Sequence, residues 1–597
     1  MTRAFGIDLG TTHTALASLD LSDDAATPSV ERTAQLVDRG QLEDQALLPS
    51  FLYFAAEAEG TLALPWDAGR RFCVGEFARA RAVEAPQRVI SSAKSWLCHP
   101  AIDRRSPALP PGAPEDIEAI SPVEASFRFL DHLAESQLSR HQRVLADHPV
   151  ILTVPASFDA AARDLTVEAA YAAGLDNLTL LEEPQAALYA WIAAQGDNFR
   201  THLRADDVVL VIDIGGGTTD FSAIRCVENN GALELERIAV GDHILLGGDN
   251  MDLALAHAVT QKLTAKGSPV DRFQAAALAH ASRSAKERLL GEAAPERVPI
   301  AIAGKGSALM GNTLRSELTR VDVEQLLLEG FFPRVHREAR PAARARTGLT
   351  QLGLPYASDP AVTRHLAGFL GRNASVLGDG SMLRPTAVLF NGGVVKAPSV
   401  RKRLIDALNE WLASDGAPPV RVLPGDDPDL AVARGAAFYA RVRAGKGIRI
   451  RGGTARAYYI GVESPSPAVP GVPPPILAMC VAPFGMEEGT HAELPPHELG
   501  VVVGEPVQFR FFGSTQRRTD PAGTALEDWA ESELEELSPI EITLPTEGRN
   551  AGDIVPVHLE AQVTPVGTLL IEAVPFEART ADERWKVELG VRSAAEQ

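Results

Sequence analysis

The stretch VIDIGGGTTDFS, at Val211–Ser222, places an acid and three consecutive glycines directly after an apolar run, and two threonines follow. Glycine loses the most backbone entropy on ordering and offers no side chain to pack, so a sheet gains nothing from glycines here. Glycine does leave backbone N–H groups open to an anion, and threonine hydroxyls add further donors. The stretch therefore predicts a turn that a phosphate group approaches closely.

A second copy of this pattern lies near the start of the chain, where Phe5–Thr12 reads FGIDLGTT. The repeat predicts two related halves, each presenting a strand–turn–strand loop, with Asp8 and Asp213 at the strand ends. Carboxylates beside a phosphate favour a bridging hard cation, usually Mg²⁺ with several waters. We therefore expect the two loops to hold the β- and γ-phosphates of a nucleotide. Two ordinary hairpin turns with local Asp and Thr caps are the alternative, and the matching acids in both copies disfavour it.

Three other nucleotide folds are disfavoured by the motifs they require. The sequence contains no G-x-x-x-x-G-K-[ST] of a P-loop protein, and no G-x-G-x-x-G that opens a helix after a strand. The H-R-D and D-F-G motifs of protein kinases do not occur together either.

Four segments in order, IDLGTT, VPASFDAAARDLTVEAAYAAGL, LEEPQAAL and VIDIGGGTTD, resemble the heat-shock protein 70 family of DnaK-like chaperones. The resemblance runs through roughly the first three-quarters of the chain, and the combination of motifs separates this family from sugar kinases. It implies an α/β, actin-like, two-lobed ATPase domain over residues 1–445. It also implies slow ATP hydrolysis, with ATP or ADP, Mg²⁺ and K⁺ as ligands.

The resemblance assigns roles to individual residues by their place in these motifs. Lys94 would position the attacking water, with Glu183, Asp213 and Thr218 completing the catalytic set. Asp8, Glu183 and Asp213 would hold the metal ion and its waters, while Pro155 and Arg163 would relay the nucleotide state to the second domain. The nucleotide-binding residues would be Gly10, Thr11, Thr12, His13, Gly215, Gly216, Gly217, Thr218, Gly247, Gly248, Arg283, Lys286, Glu287, Gly392, Gly393 and Asp429.

Several of these positions depart from the family pattern or have a simpler explanation. Arg283 and Glu287 carry charges opposite to those of many members, and they lie at i and i+4 on one helix face. They would either flank the adenine, with Arg283 stacking on the base, or form a solvated salt bridge. Val394 replaces a family serine or threonine and Lys396 replaces an arginine.

Two of the assignments keep a structural alternative. Lys94 would otherwise be a surface lysine. Gly392, Gly393 and Asp429 would otherwise belong to a packed strand-to-helix turn.

The bulk composition is that of a globular protein: 597 residues, 45% hydrophobic and 23% charged. A net charge of −21 argues against nucleic acid and anionic membranes as partners. The four scattered cysteines predict reduced thiols and no zinc site. With no signal peptide or membrane-spanning run in the sequence, the expected location is cytoplasmic.

Residues 446–597 differ from the preceding part because helical stretches nearly vanish and period-two alternation begins. Alternating faces occur in VQFRFF (Val507–Phe512), in PIEITLP around Ile540, Ile542 and Leu544, and at Val557–Val563 and Trp585–Val591. This pattern predicts an all-β, sandwich-like domain that binds a substrate or partner.

Other segments predict loops, solvated faces or altered connections. Ser464–Pro475, Pro565–Thr568 and Ala101–Pro122 read as loops or a surface insertion, and Glu527–Glu536 as a solvated acidic face. The junction AGKGIRIRGG does not resemble the acidic linker of the family. The few residues after Arg592 lead us to expect no helical lid.

Two functions from different classes follow from these observations. The first is an ATP-dependent chaperone that binds unfolded or extended polypeptides, with a J-domain co-chaperone and a nucleotide exchange factor as implied partners. The alternative is a nucleotide-dependent scaffold or regulator that binds one folded partner with little turnover. A small-molecule kinase is third, because it has no evident use for the β domain.

Overall fold

The computed structural model describes residues 3–99, 102–229, 232–291, 294–304, 313–342, 354, 356–377, 380–425, 427–451, 454, 456–464, 474–486, 490–494, 499–514, 516–517, 519–530, 533–537, 539–546, 548–564, 568–579 and 583–590. The chain forms two compact units. The first comprises Met1–Ala156, Leu165–Leu235 and Ala239–Arg449, and the second comprises Ser157–Asp164, Glu236–Ile238 and Ile450–Gln597.

The segment up to residue 449 alternates strands and helices. Its strands are Arg3–Leu9 (β1), His13–Asp20 (β2), Ser29–Glu31 (β3), Thr33–Asp38 (β4), Gln41–Gln45 (β5), Leu47–Pro49 (β6), Phe51–Phe54 (β7), Phe72–Val74 (β8), Val89–Ser91 (β9), Val150–Val154 (β10), Leu178–Glu182 (β11), Val208–Ile214 (β12), Thr219–Asn229 (β13), Ala232–Val240 (β14), Arg297–Ile302 (β15), Leu314–Thr319 (β16), Ala387–Asn391 (β17) and Arg421–Val422 (β18).

Its α-helices are Glu76–Glu84 (α1), Ala93–Trp96 (α2), Pro122–His141 (α3), Ala160–Ala172 (α4), Glu183–Gln195 (α5), Phe199–His202 (α6), Gly248–Ala265 (α7), Arg272–Leu290 (α8), Arg320–Gly330 (α9), Val362–Arg372 (α10), Pro398–Ser414 (α11) and Ala431–Arg443 (α12). Short 3-10 segments are Glu57–Glu59, Pro86–Arg88, Leu145–Asp147, Gly196–Asn198, Ala374–Leu377 and Gly393–Lys396.

The two main sheets of the first unit repeat one arrangement. One runs β11-β10-β1-β2-β3, and the other contains the run β18-β17-β12-β13-β14. In both, the central strand pairs in parallel with one neighbour and forms an antiparallel hairpin with the next strand in sequence. The repeat of strand–turn–strand loops that the sequence predicts is thereby confirmed.

The central strands have the composition that burial on both faces requires. All seven residues of β12 are buried, as expected for an apolar strand covered by helices. Small residues bring helix α12 close to its neighbours: a Cβ on Gly6 would lie 2.3 Å from the Ala433 carbonyl oxygen, and one on Gly435 would lie 1.7 Å from the Ala186 carbonyl oxygen. This packing fixes the ends of β1 and α5, which carry the site.

Ala-rich and Leu-rich stretches in the sequence predict helices over Asp159–Ala173 and Asp322–Gly330, and both helices are found, as is a mostly accessible segment in the described part of Ala101–Pro122. Helix α4 coincides with the predicted Asp159–Ala173 within one residue at each end, and α9 coincides with Asp322–Gly330 except for two extra residues at its start. The described residues 102–121 form no helix and are mostly accessible, although Leu109 and Ile120 pair and are buried.

The described residues after 449 contain strands and no helix. These strands are Ile450–Arg451 (β19), Ala457–Glu463 (β20), Ile476–Ala482 (β21), His491–Glu493 (β22), Leu499–Val502 (β23), Pro506–Phe509 (β24), Phe511–Ser514 (β25), Ala525–Leu526 (β26), Glu535–Glu536 (β27), Ile540–Thr543 (β28), Ile554–Val563 (β29), Thr568–Pro575 (β30) and Trp585–Gly590 (β31). One sheet runs β26-β21-β20-β25-β27, and the other runs β22-β29-β30-β31, with β23 also on β29. Side chains of both sheets share one apolar core, in which Met479 lies with Val557 and Leu569.

The sequence predicts one continuous strand over VQFRFF, and this prediction is wrong. The segment is two strands that break at Arg510, because β24 pairs with β28 whereas β25 pairs with β20. Despite the break, Phe509 and Phe511 contact the same apolar cluster, as the predicted alternation requires, whereas Phe512 faces the other side of its strand and packs in a different cluster.

Other predictions for this region have mixed outcomes. The alternating burial predicted for Val557–Val563 is confirmed, and so is that for Trp585–Leu589. The described acids of Glu527–Glu536 are exposed or half-buried. Val591, most of Ser464–Pro475 and most of Pro565–Thr568 lie outside the described residues, as does everything after residue 590, so the expectation of a missing lid stays a prediction.

Two further findings concern membranes and thiols. Within the described ranges, no helix combines the length and the apolar character that crossing a membrane requires. All four cysteines are free thiols, and Cys73, Cys226 and Cys480 are buried.

Candidate functional site

A cavity of about 530 Å³ in the first unit brings together most of the residues singled out in the sequence. Those that line it are Asp8, Gly10, Thr11, Thr12, His13, Lys94, Glu183, Asp213, Gly215, Gly216, Thr218, Gly248, Arg283, Lys286, Glu287, Gly392, Gly393 and Asp429. Gly217 and Gly247 are sequence neighbours of lining residues. Pro155 and Arg163 do not line it, and their relay role stays a prediction.

The first glycine turn joins β1 to β2, and two hydrogen bonds from Ser50 hold it in place. The Ser50 hydroxyl donates to the Gly10 carbonyl oxygen at 2.7 Å, and the Ser50 amide donates to the Thr12 carbonyl oxygen at 2.8 Å. A Cβ on Gly10 would lie 2.2 Å from the His13 carbonyl oxygen, so only glycine fits there. Ser50 therefore sets the shape of the turn that ends β1.

The second glycine turn joins β12 to β13 and is braced by the start of helix α7. The Gly215 and Gly216 carbonyl oxygens accept from the Gly248 and Asp249 amides at 3.0 and 2.7 Å. A Cβ on Gly247 would lie 2.7 Å from both of those carbonyl oxygens. The N-terminus of an 18-residue helix therefore abuts this turn, and helix N-termini favour anions.

The two turns approach each other across the cavity. A Cβ on Gly216 would lie 1.8 Å from the Thr12 hydroxyl oxygen, and a Cβ on Gly217 would lie 2.7 Å from the Ser95 hydroxyl oxygen. Side chains at these positions would collide with the opposite side of the cavity. The consecutive glycines of VIDIGGGTTDFS therefore allow the two turns to lie close together, and they leave room for a ligand between the turns.

Three acids stand at the ends of strands or at the start of a helix: Asp213 is buried, and Asp8 and Glu183 are half-buried. Burial, and then the charge of Glu183, raise the pKa of Asp8 to about 7 and that of Asp213 to about 8. Burial also raises the pKa of Glu183 itself. The Asn391 side-chain amide donates to Asp213 at 2.7 Å, which fixes one of its oxygens.

This donor set fits Mg²⁺. Buried carboxylates that repel one another are stabilised by a divalent cation, and Mg²⁺ prefers oxygen ligands while keeping several of its waters. In the described part of the chain, no three His, Cys, Asp or Glu side chains are close enough to ligate a metal directly. Asp8, Glu183 and Asp213 would therefore hold Mg²⁺ through its waters rather than as direct ligands, and the ion would neutralise charge on the phosphates.

Lys94 is not a surface lysine. It lies on the short helix α2, is only 8% exposed, and its ammonium group donates to Oε1 of Glu183. Burial alone would lower the pKa of Lys94, but the carboxylates of Glu183 and Asp8 outweigh burial and raise it. The side chain therefore carries a positive charge into the cavity at neutral pH.

His13 makes a different electrostatic contribution. Burial, followed by the nearby cations Arg79 and Arg283, lowers its pKa to about 3. His13 is therefore neutral at physiological pH and adds no charge beside the phosphate turns.

The raised acid pKa values predict that the stabilisation of the protein by MgATP increases with pH. Near pH 6, Asp8 and Asp213 hold protons that a cation must displace. Near pH 8.5 both are ionised and the cation offsets their repulsion. Both folded pKa values lie above the ordinary aspartate value of 3.8, so these two acids stabilise the free protein less as pH rises from about 4 to 8. We expect a larger rise in Tm with MgATP at pH 8.5 than at pH 6.5, measured by thermal melts.

The variant Asp213→Asn supplies the control for this prediction. It removes one of the two titrating acids, so the difference in Tm shift between the two pH values should shrink. An equal or larger shift at pH 6.5 in the unmodified chain would contradict the assignment of these acids to the cation.

The other end of the cavity contains an ion-pair cluster that the sequence reasoning missed. Arg283 Nε donates to Asp252 at 2.8 Å, and its guanidinium also pairs with Asp249. Lys286 Nζ lies 2.6 Å from Asp252 and donates to the Gly248 carbonyl oxygen at 3.1 Å. The Arg283 side chain is 12% exposed, so the hypothesis of a solvated Arg283–Glu287 salt bridge is wrong.

The signal for these acids was present in the segment GGDNMD. Asp249 and Asp252 are spaced i and i+3 at the start of a helix, which places both on one face. Ser92 also belongs to this group, since its hydroxyl donates to Asp249 at 2.5 Å.

A third glycine turn, at Gly392 and Gly393, follows β17. Gly392 has φ +87°, and a Cβ there would lie 2.4 Å from the Ile214 carbonyl oxygen. Lys396 pairs with Asp429, and both line the cavity. Gly392 is thus a packed turn residue as well as a lining residue, so the two hypotheses for this position are compatible.

Comparisons with known proteins place these motifs in a family context. Residues 68–344 match the family model described as Hsp70 protein. The Chaperone protein HscA homolog of Bordetella petrii is 31% identical over 454 residues, which cover 74% of this chain and 58% of that protein. Chaperone protein HscA of Cronobacter sakazakii is 33% identical over 273 residues, covering 43% of this chain and 38% of that protein. The matched region thus spans 58% of the length of the Bordetella petrii protein and 38% of that of the Cronobacter sakazakii protein.

Proposed function

The chain is a member of the Hsp70 family, and on that premise we propose that it is a chaperone that couples ATP binding and hydrolysis to the binding of unfolded polypeptide. The observation that supports this most is the meeting of two glycine turns, three acids and a buried lysine around one cavity. The family implies an actin-like ATPase fold with nucleotide and Mg²⁺, and the repeated sheets of the first unit agree with it. A bound K⁺ stays a prediction.

In the proposed reaction, residues of the chain orient the phosphates and the attacking water, and they stabilise the charge that develops on the transferring group. The amides of the turns at Gly10–Thr12 and Gly215–Thr218 bind the phosphates, and Mg²⁺ supplies charge neutralisation when bound. Lys94 holds the attacking water in line with the terminal phosphorus and stabilises the charge that develops on the transferring group. Glu183 keeps Lys94 charged and fixes its direction.

The second unit supports the polypeptide-binding half of the proposal. Its described part is built of strands, and strands bind extended peptides through an edge or a cleft. Two large apolar side chains, Ile554 and Phe576, are exposed there, and the Phe576 amide donates to the Pro556 carbonyl oxygen at 3.2 Å.

The free thiols favour a reducing compartment, and we propose a cytoplasmic location. A J-domain co-chaperone and an exchange factor are the partners that we propose by family.

Polypeptide stimulation of ATP turnover tests the proposal. We expect slow turnover by the full chain that increases severalfold when a permanently unfolded, carboxymethylated polypeptide is added, because binding of a client would shift the catalytic unit to its active state. The native form of the same polypeptide should have no effect. Phosphate release at saturating MgATP is the measurement.

The outcome also separates the two functions considered for the chain. If unfolded polypeptide has no effect and one native protein stays stably bound through purification, the scaffold function replaces the chaperone function. If the chain turns over no ATP at all, with or without polypeptide, the proposed ATP hydrolysis at this cavity is wrong.

A further inference from the structure

Ser92, at the start of the short helix α2, has an unusual backbone conformation. Its φ of +56° and ψ of 29° lie in the left-handed region, which residues other than glycine, asparagine and aspartate rarely adopt. A serine at the start of a helix usually accepts a hydrogen bond from an amide of the first turn, but the Ser92 side chain makes no such bond. Its hydroxyl donates instead to Oδ2 of Asp249, 157 positions along the chain, at 2.5 Å. The Ser92 hydroxyl is therefore committed to α7 rather than to its own helix.

Asp249 is held at both carboxylate oxygens and at its amide. Oδ2 accepts from the Ser92 hydroxyl, and Oδ1 accepts from the Arg283 guanidinium. The Asp249 amide donates to the Gly216 carbonyl oxygen at 2.7 Å, and the residue is 8% exposed. Asp249 thus connects the start of α2 directly to the second glycine turn.

Helix α8 contacts the same part of the chain that carries Ser92. The guanidinium carbon of Arg283 lies 5.5 Å from the centroid of the Phe51 ring, and the His280 ring lies 5.9 Å from it. Phe51 pairs across β7 and β9 with Ser91, the residue before Ser92. Arg283 therefore contacts both Asp249 and the strand beside Ser92, and these contacts together fix where the Ser92–Asp249 hydrogen bond forms.

Lys94 follows Ser92 by two positions, and its ammonium group donates to Glu183 at the start of α5. Resting on the proposed ATP hydrolysis, we propose that Ser92 is a positioning residue for that reaction. Its hydrogen bond to Asp249 fixes α2 relative to the second glycine turn, and thereby fixes Lys94 relative to the terminal phosphate. Because α2 comprises only four residues, it has little stability of its own and depends on such an anchor. Glu183 directs the ammonium group, whereas Ser92 holds the backbone from which the lysine extends.

Two substitutions separate the hydroxyl of Ser92 from its backbone conformation. Ser92→Ala and Ser92→Gly both remove the hydroxyl, and glycine also adopts the left-handed conformation without strain. We expect both variants to lower kcat about fivefold, less than the hundredfold that a misplacement of 1 Å costs, and to leave the KM for MgATP within about twofold. Full turnover by Ser92→Gly overturns the proposal, because the serine would then serve only the turn.

Gln142→Gly is the matched control for these variants. Gln142 also has a left-handed conformation, with φ +52°, but it is exposed at the end of α3 and does not line the cavity. The substitution relieves the backbone in the same way, so kcat should not change. Thermal melts of all three variants measure the contribution of the backbone to stability separately from turnover.

A double-mutant cycle with Lys94→Ala tests whether Ser92 acts through the lysine. In single-turnover kinetics, Ser92→Ala should slow the Lys94→Ala chain by less than about twofold, because the group that it positions is already missing. An equal fold loss in both backgrounds overturns the proposal, since the hydrogen bond would then act on the glycine turn independently of Lys94. Neither outcome affects the proposed function, whereas absence of ATP turnover by the unmodified chain overturns both.

Discussion

The variant Lys94→Ala is expected to bind MgATP within about tenfold of the unmodified chain and to lose about 10²–10³-fold in turnover, the loss typical of removing one preorganised electrostatic group. Lys94 is buried, charged and paired with Glu183, so its ammonium is fixed before the substrate arrives. A group held this way acts mainly on charge that develops in the transition state. Single-turnover kinetics together with calorimetric binding separate the two effects.

Removal of Lys94 also leaves Glu183 buried without its partner, so the free variant should melt earlier. Lys402→Ala is the matched control because the Lys402 side chain is 75% exposed on α11 and pairs with Asp406, four residues further along the helix. Turnover by Lys94→Ala within threefold of the unmodified chain would remove Lys94 from the catalytic set.

The variant Gly216→Ala is expected to reduce MgATP turnover by about threefold to tenfold, because the shift it forces is smaller than the 1 Å misplacement that costs about a hundredfold. Its new Cβ would lie 1.8 Å from the Thr12 hydroxyl oxygen and 3.1 Å from the Thr12 Cβ. Rotation of the Thr12 side chain relieves only the first of these contacts. The two turns must therefore shift slightly apart, which misaligns the groups that would bind the phosphates.

Gly330→Ala supplies the control, because Gly330 ends helix α9 and a Cβ there meets no heavy atom within 4 Å. It should leave turnover unchanged and stabilise the chain slightly by reducing the entropy of the unfolded state. If Gly216→Ala binds and hydrolyses MgATP as well as Gly330→Ala does, the closely apposed turns are not the phosphate site.

The sequence predicted the local parts of the site well, because each of them depends on a short pattern. Apolar runs that end in Asp8 and Asp213 indicated buried strands, and the glycines after them indicated turns. The helical patterns around Ala160–Ala172 and Arg320–Gly330 were equally local. The repeat of one motif then predicted two similar halves, which the matching strand orders of the two sheets show.

Other parts of the site were beyond the sequence because they depend on residues far apart in the chain. Glu183 lies 89 positions from Lys94, and the choice of Glu183 as its partner follows from packing of α2 and α5 around one cavity. Arg283 had an acid four residues away in Glu287, yet it pairs with Asp249 and Asp252 on another helix. A period-two pattern also failed to reveal the break at Arg510, where the chain changes from one sheet to another.

The sequence by itself determined which segments form strands, where the glycine turns lie, and that acids stand at the strand ends. These features follow from backbone entropy, side-chain periodicity and steric freedom, which act over a few residues. The repeated motif already led us to expect that the two turns bind one ligand. Only the tertiary structure decided how closely the turns approach each other, that Lys94 is buried against Glu183, and that Arg283 is held by acids of α7. Those outcomes depend on which surfaces bury each other, and burial sets both the partner of each charge and its pKa.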